Sequence, residues 1–165
     1  MRISDGHKFP ISPPYAAPME AVRTALDNFT ALLNDADFSD AMLVLEVGRF
    51  QFMLRRQMKI ELGGMFIALW RLALTRSFPQ DADRMFEVFC SAYAHEHTDE
   101  QSTRLLTRGG EYWAMLKPHG DADFTEIARH LCSFSIRDTH AAKSAQLRMV
   151  LYMRKTYKFL FERLF

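Results

Sequence analysis

The sequence predicts an all-α protein, a compact single-domain bundle of six to seven helices of unequal length behind an extended Pro-rich N-terminal arm. Composition is the first reason: 7 Gly and 6 Pro stand against 14 Phe and 10 Met in 165 residues, which favours helices over strands and turns. Four of the six Pro lie within the first 18 residues, so the rest of the chain has few helix breakers. Apolar residues recur there every three to four positions, the period of an amphipathic helix.

The chain divides into an arm, residues 1–17, and one helical domain, residues 18–165. Pro10, Pro13 and Pro14 favour polyproline geometry in the arm. Such an arm frays or lies across its own domain, and the alternative is a docking peptide for an aromatic groove. Because 48% of the residues are hydrophobic, the helical domain can bury a substantial core.

The first two helices are predicted from apolar stripes. The first begins at Pro18, and its stripe is Met19, Val22, Leu26, Phe29 and Leu33. The second begins after the cap residue Ser39, and its stripe is Leu43, Val47, Phe50, Leu54 and Met58. The alternative for residues 42–54 is a β-hairpin turning near Gly48. No further turn signal precedes Met58, which favours the helix.

Two glycine pairs are expected to interrupt the helical pattern. Gly63-Gly64 predicts a break or a close crossing, and the apolar helix after it should be the most buried one. Gly109-Gly110 predicts the end of a fifth helix that begins at the capping-box pair Thr98 and Gln101, with a separate short turn of helix before Pro118. The other predicted caps are Asp81, Asp123 and Asp138, the last of which starts the longest helix.

Charge is segregated along the chain although the net charge is only +1. Residues 49–76 hold six bases and one acid, a local charge of +5, whereas residues 81–126 hold four bases and ten acids, a local charge of −6. Residues 138–165 hold six bases and two acids, a local charge of +4. Basic and acidic helices could neutralise each other side by side, or a basic face could meet an acidic partner.

The sequence contains no Gly-rich phosphate loop, nucleophile elbow or zinc-binding His-Glu-x-x-His helix, so we predict neither catalysis nor a cofactor. Cys90 and Cys132 lie in apolar helical stretches without a metal-ligand spacing, and two buried thiols are expected. His95 and His97 are weak candidates for a metal or small-ligand site. The competing interpretation is a solvated loop in which polar side chains end one helix and begin the next.

The last helix presents a basic arc beside its apolar stripe. Leu147, Leu151, Phe161 and Phe165 are interleaved with the bases of this arc. A mixed face of this kind can grip phosphates, lie on an anionic membrane or dock into an acidic groove, unless it is solvated with its apolar residues covered by another helix. The candidate binding residues are Lys143, Arg148, Arg154, Lys155, Lys158 and Phe161, with Arg55, Arg56 and Lys59 beside them.

The leading expectation is a non-catalytic helical protein–protein interaction module: an adaptor, an accessory subunit or a small inhibitor or immunity-type protein. A homo-oligomer is a variant of this, because many Phe, Met and Leu spread over several helices could leave an apolar patch exposed. The alternative is nucleic-acid binding through the C-terminal helix. The most apolar stretch, Leu62–Leu74, is interrupted by Arg71 and is too short for a transmembrane span. No signal peptide is evident, so a cytoplasmic location is expected.

Overall fold

The computed structural model describes residues 15–165, and within that range the chain forms seven α-helices and no β-strand. They are α1 (Met19–Asn34), α2 (Ser39–Val44), α3 (Phe52–Ser77), α4 (Ala82–Glu96), α5 (Glu100–Leu116), α6 (Thr125–Ser133) and α7 (Thr139–Glu162). The predicted fold class and number of helices are confirmed. Residues 1–14, which hold most of the predicted Pro-rich arm, lie outside the described residues.

Helix α3 is the central element, against which α1, α4, α5 and α7 all pack. Every residue from Ile60 to Trp70 is buried. A helix that is apolar on all sides is stable when neighbours surround it, and this confirms the predicted central helix, although it begins at Phe52 rather than after Gly64. Phe29 of α1 stacks on Trp70 with ring centroids 3.9 Å apart, and Phe89 of α4 meets both rings edge-on.

The glycine pairs mark a close crossing of α3 and α5 rather than helix ends. A Cβ atom on Gly64 would lie 2.7 Å from Cβ of Arg108, and one on Gly109 would lie 2.9 Å from Cγ2 of Ile67. Both helices continue through their glycines, so the close crossing predicted at Gly63-Gly64 is confirmed and the alternative of a break there is wrong. The predicted helix end at Gly109-Gly110 is also wrong. Each glycine weakens its helix, but the missing side chains let the two backbones approach.

The helical pattern is interrupted between α2 and α3, where the sequence predicted one continuous helix. α2 ends in a Schellman motif: the Val47 N–H donates to the Met42 carbonyl at 3.0 Å, and Glu46 has a left-handed φ of 57°. Met42 and Val47 are both buried beside this cap. The predicted stripe is therefore wrong at Leu43 and Phe50, which are exposed, and the hairpin alternative is wrong because no strand forms.

Aspartate carboxylates accept backbone hydrogen bonds near the starts of several helices. Asp138 accepts from the Ala141 N–H at 2.7 Å, as predicted, whereas the cap of α5 is Asp99, one residue after the predicted Thr98. Asp81 precedes α4, but its buried carboxylate accepts instead from the backbone N–H groups of Ala16 and Ala17. The end of the arm is therefore fixed to the start of α4.

The close crossing predicts opposite effects for two alanine substitutions. Gly64→Ala should lower the free energy of unfolding by about 1–3 kcal/mol, because the new methyl group would meet the backbone of α5. Gly110→Ala should raise it by about 0.5–1 kcal/mol, because Gly110 lies in the same crossing helix with nothing near its absent side chain. Urea denaturation measures both, and a stabilising Gly64→Ala would contradict the close crossing.

Candidate functional site

The exposed large hydrophobic side chains of residues 15–165 fall on two neighbouring elements of the bundle. Four lie where α2 turns into α3: Leu43, Phe50, Phe52 and Met53. The others lie on α7 or just after its end: Leu147, Leu151, Phe159, Phe161 and Phe165. Helices α4, α5 and α6 contribute none. Apolar groups concentrated in this way mark surfaces that contact something else.

The first of these surfaces, which we name the α2–α3 corner, comprises Leu43, Phe50, Phe52, Met53 and the bases around them. Its four apolar side chains are 72–85% exposed, the highest values among the large hydrophobic residues. Residues 43–59 contain four bases, Arg49, Arg55, Arg56 and Lys59, against one acid, Glu46. The Schellman cap at Glu46 and the start of α3 fix the backbone on both sides. The corner is therefore an ordered apolar and basic projection.

The second surface is the outer face of α7, and it contains the basic arc predicted from the sequence. Lys143, Arg148, Arg154, Lys155 and Lys158 are all exposed, and Leu147 and Phe161 are 64% and 44% exposed. No described helix covers these two apolar side chains. The expectation that another helix would bury Leu147 and Phe161 is therefore wrong.

Several bases of the arc already have partners towards the C-terminal end of α7. Arg154 donates to the Ala122 carbonyl at 3.2 Å, and its guanidinium lies 5.8 Å from the Phe124 ring centre. Lys158 lies 3.8 Å from Glu162. Lys143 and Arg148, in the first half of α7, form no hydrogen bond or ion pair with another described residue. The first half of α7 is thus the more available part of the outer face.

The α2–α3 corner and the first half of α7 lie at the same end of the bundle. Phe66 lines one cavity with Tyr152 and Thr156, and Phe78 meets Phe165 with ring centres 5.5 Å apart, so α3 and α7 run parallel. Helix α2 packs against both of them. Helix α2 therefore contacts both of the helices that carry the two apolar surfaces.

Three carboxylates separate the predicted basic residues into two groups. Asp37 precedes α2 and lines a groove with Arg55 and Lys59. Asp35, Asp40 and Lys155 line the same cavity as Phe66 and Tyr152. Hydrogen bonds from the Ser39 side chain and backbone hold the pKa of Asp37 below its usual value, and Lys59 lowers it further. The candidate bases Arg55, Arg56 and Lys59 are thus not continuous with those of α7.

We name the cavity that contains Asp35, Asp40 and Lys155 the α1–α7 cavity. It lies between the end of α1, the start of α2, α3 and α7. Its volume is about 440 Å³. Rings of Phe38, Phe66, Tyr152 and Phe159 line it, and Asp35, Asp37, Asp40 and Lys155 add charge. Burial raises the pKa of Tyr152, and the carboxylates of Asp40 and Asp37 raise it further. No signal in the sequence pointed to this cavity, because its walls come from four separate helices or loops.

A buried polar network links α3, α5 and α6 and was also missed from the sequence. Glu61, 5% exposed, accepts from Arg108 Nε at 2.8 Å and from the Tyr112 hydroxyl at 2.7 Å. Arg108 also contacts His130 Nε2 at 3.0 Å and pairs with Glu111. Burial, followed by the hydrogen bond to Glu61, strongly raises the pKa of Tyr112. The available signal was Glu61 itself, an acid at the start of an apolar run.

The histidines between residues 15 and 165 are not grouped into a metal centre. His95 is exposed at the end of α4, whereas the His97 ring stacks on Tyr93 with centres 4.2 Å apart. Among the described residues, no three His, Cys, Asp or Glu side chains are grouped where they could hold an ion. His130 lies beside Arg108 rather than Glu126, whose carboxylate is 3.5 Å from His119. His95 thus lies in the last turn of α4 and His97 is its partly buried C-cap.

Two findings bear on the chain as a whole. No helix between residues 15 and 165 combines the length and apolar character needed to span a bilayer. No family model, curated protein or solved structure matches the chain.

The buried network predicts a large effect from removing one charge. Glu61→Gln should lower the free energy of unfolding by about 2–3 kcal/mol, because Arg108 would stay partly buried without its main counter-charge. The matched change Glu87→Gln, on the exposed face of α4, should change it by less than about 0.5 kcal/mol. Urea denaturation of both variants provides the comparison, and equal effects would contradict a stabilising network.

The thiols predict a pH-dependent reactivity. Burial raises the pKa of Cys90 and of Cys132 to about 11, so near pH 8 only about 0.1% of each is thiolate in the folded chain. In folded protein, the rate of labelling by a disulfide reagent should rise about tenfold per pH unit above pH 8. In urea, the labelling rate should level off above about pH 8.5. Equal rates in both states near pH 8 would contradict this.

The same pKa shift makes stability depend on pH. The thiols lose their protons near pH 8.5 in the unfolded chain but only near pH 11 in the folded chain. The stabilisation that the buried thiols provide is therefore complete below about pH 8.5 and declines as the pH rises towards 11.

Proposed function

We propose that this protein is a non-catalytic interaction module that binds another protein through the α2–α3 corner and the first half of α7. The observation that carries the proposal is the exposure of Phe50, Phe52 and Met53 on a well-defined backbone. Exposed aromatic and Met side chains are the residue types that interfaces use as anchors. Because the backbone is already ordered, little conformational entropy is lost on binding.

Charge complementarity indicates the chemistry of the partner. The apolar anchors are flanked by Arg49, Arg55, Arg56 and Lys59 at the corner, with Lys143 and Arg148 on α7. A partner segment with apolar side chains flanked by Asp or Glu would fill the surface and offset its charge. An acidic amphipathic helix has both properties.

A second copy of the chain is a poorer match for the same surface. Two copies joined corner to corner would bring basic groups together, which is unfavourable. A copy that instead presented the acidic helix α4 would offer no large exposed apolar residue to pair with the anchors. A different protein is therefore the better partner.

Nucleic acid is also a poorer match. A phosphate backbone needs a run of available bases, but Asp35, Asp37 and Asp40 lie between the two groups of bases. Arg154 and Lys158 already have partners within α7 or next to it. Cys90 and Cys132 are unpaired, which fits the proposed action in a reducing compartment such as the cytoplasm.

The double variant Phe52→Ser/Met53→Ser should separate binding from folding. Both side chains are at least 72% exposed, so the free energy of unfolding should change by less than about 1 kcal/mol. Affinity purification of the full chain from its own cells, with nuclease treatment and quantitative mass spectrometry, should show a protein whose recovery falls at least about tenfold with the double variant. Recovery should be unchanged with Phe165→Ser, a comparably exposed position just beyond the C-terminal end of α7.

Other outcomes of this experiment would overturn the proposal. Equal recovery with the double variant would exclude the corner as the docking site. Retention of labelled oligonucleotide that weakens steeply with salt and is lost in Arg154→Ala/Lys155→Ala/Lys158→Ala would instead favour nucleic acid. Loss of a dimer in sedimentation with the double variant would identify a second copy as the occupant.

A further inference from the structure

We propose that the α1–α7 cavity is a binding site for a small amphipathic organic cation, an amine with an aromatic or aliphatic body. This proposal is independent of the docking function of the corner. It rests on three features that coincide in one place: an apolar cavity, aromatic rings within it and carboxylates at its edge.

The interior of the cavity suits an apolar body. Phe66 is nearly buried and forms the floor, where Phe38 meets it edge-on with ring centres 6.0 Å apart. Leu32, Tyr152 and the partly exposed Phe159 line the sides. A volume of about 440 Å³ falls within the range of cavities that hold small ligands.

The edge of the cavity suits a positive charge. Asp35, Asp37 and Asp40 are three carboxylates against one ammonium group, Lys155, a local charge of −2. Asp37 is held ionised by its hydrogen bonds from Ser39 at 2.9 Å and 2.6 Å. The aromatic rings add attraction for a cation through their negative faces. An anionic ligand of the same size would meet repulsion from all three carboxylates.

The three carboxylates have different roles in this arrangement. Asp37 accepts a hydrogen bond from the Ser39 N–H at the start of α2, so its replacement would disturb the turn. Asp35 and Asp40 accept no hydrogen bond from another described residue, which leaves them available to a ligand. Asp40 additionally lies close enough to Tyr152 to raise the pKa of that hydroxyl. Asp40 is therefore the position at which to test the proposal.

Titration calorimetry of the full chain with tryptamine tests the proposal, with tryptophol as the neutral analogue of the same shape. Tryptamine should bind with a dissociation constant on the order of 10⁻⁴ M, and tryptophol at least about tenfold more weakly. Asp40→Asn should weaken tryptamine binding about five- to tenfold, whereas Asp27→Asn, the same change on the exposed face of α1 outside the cavity, should have no effect.

A second pair of variants tests the aromatic wall. Phe159→Ala should weaken tryptamine binding at least about fivefold, and Phe161→Ala, two residues further on α7 and outside the cavity, should not. Thermal melts of all four variants establish that each is folded. Equal binding of tryptamine and tryptophol, undetectable binding of tryptamine, or equal effects of the matched variants would each overturn the proposal.

Discussion

The close crossing of α3 and α5 is the contact on which the rest of the structure depends. Gly63, Gly64 and Gly109 remove the side chains that would hold the two backbones apart. The approach brings Arg108 and Tyr112 of α5 within hydrogen-bond distance of Glu61, a carboxylate that could not otherwise be buried in α3. The glycines and the network therefore require each other. Because α1, α4 and α7 also pack on α3, the position of this one helix sets the positions of the others.

The proposed docking surface follows from where α3 begins. Arg56 contacts the side-chain amide of Gln101 in the first turn of α5, so the residues of α3 before Arg56 extend beyond the neighbouring helix. Phe52 and Met53 lie in that projecting turn, and no described element covers them. Met42 and Val47 are buried beneath the preceding cap, and they anchor the same turn to the core. A continuous helix from Ser39 to Met58 would have no such corner.

The sequence predicted what depends on local periodicity and failed where distant residues decide. The all-α class, the central helix, the Asp138 cap and the exposed bases of α7 follow from spacing within one segment. The end of α2 was missed because Glu46, rather than a glycine, adopts the left-handed conformation that completes its cap. The sequence left a break and a close crossing open at Gly63-Gly64 and predicted a helix end at Gly109-Gly110, because the effect of each pair depends on the facing helix. The α1–α7 cavity and the partners of Glu61 required tertiary contacts that no local pattern encodes.

The exposed apolar residues of the corner are not explained by folding. At 72–85% exposure, Leu43, Phe50, Phe52 and Met53 bury little apolar area within the described part of the chain, so they contribute little hydrophobic stabilisation. Polar side chains at these positions would fold as well, and they would reduce the tendency to aggregate. The flanking bases keep such a surface soluble, but they also restrict what can cover it, because a partner must supply both apolar area and negative charge. In the proposed function, these two requirements make the corner selective among partners.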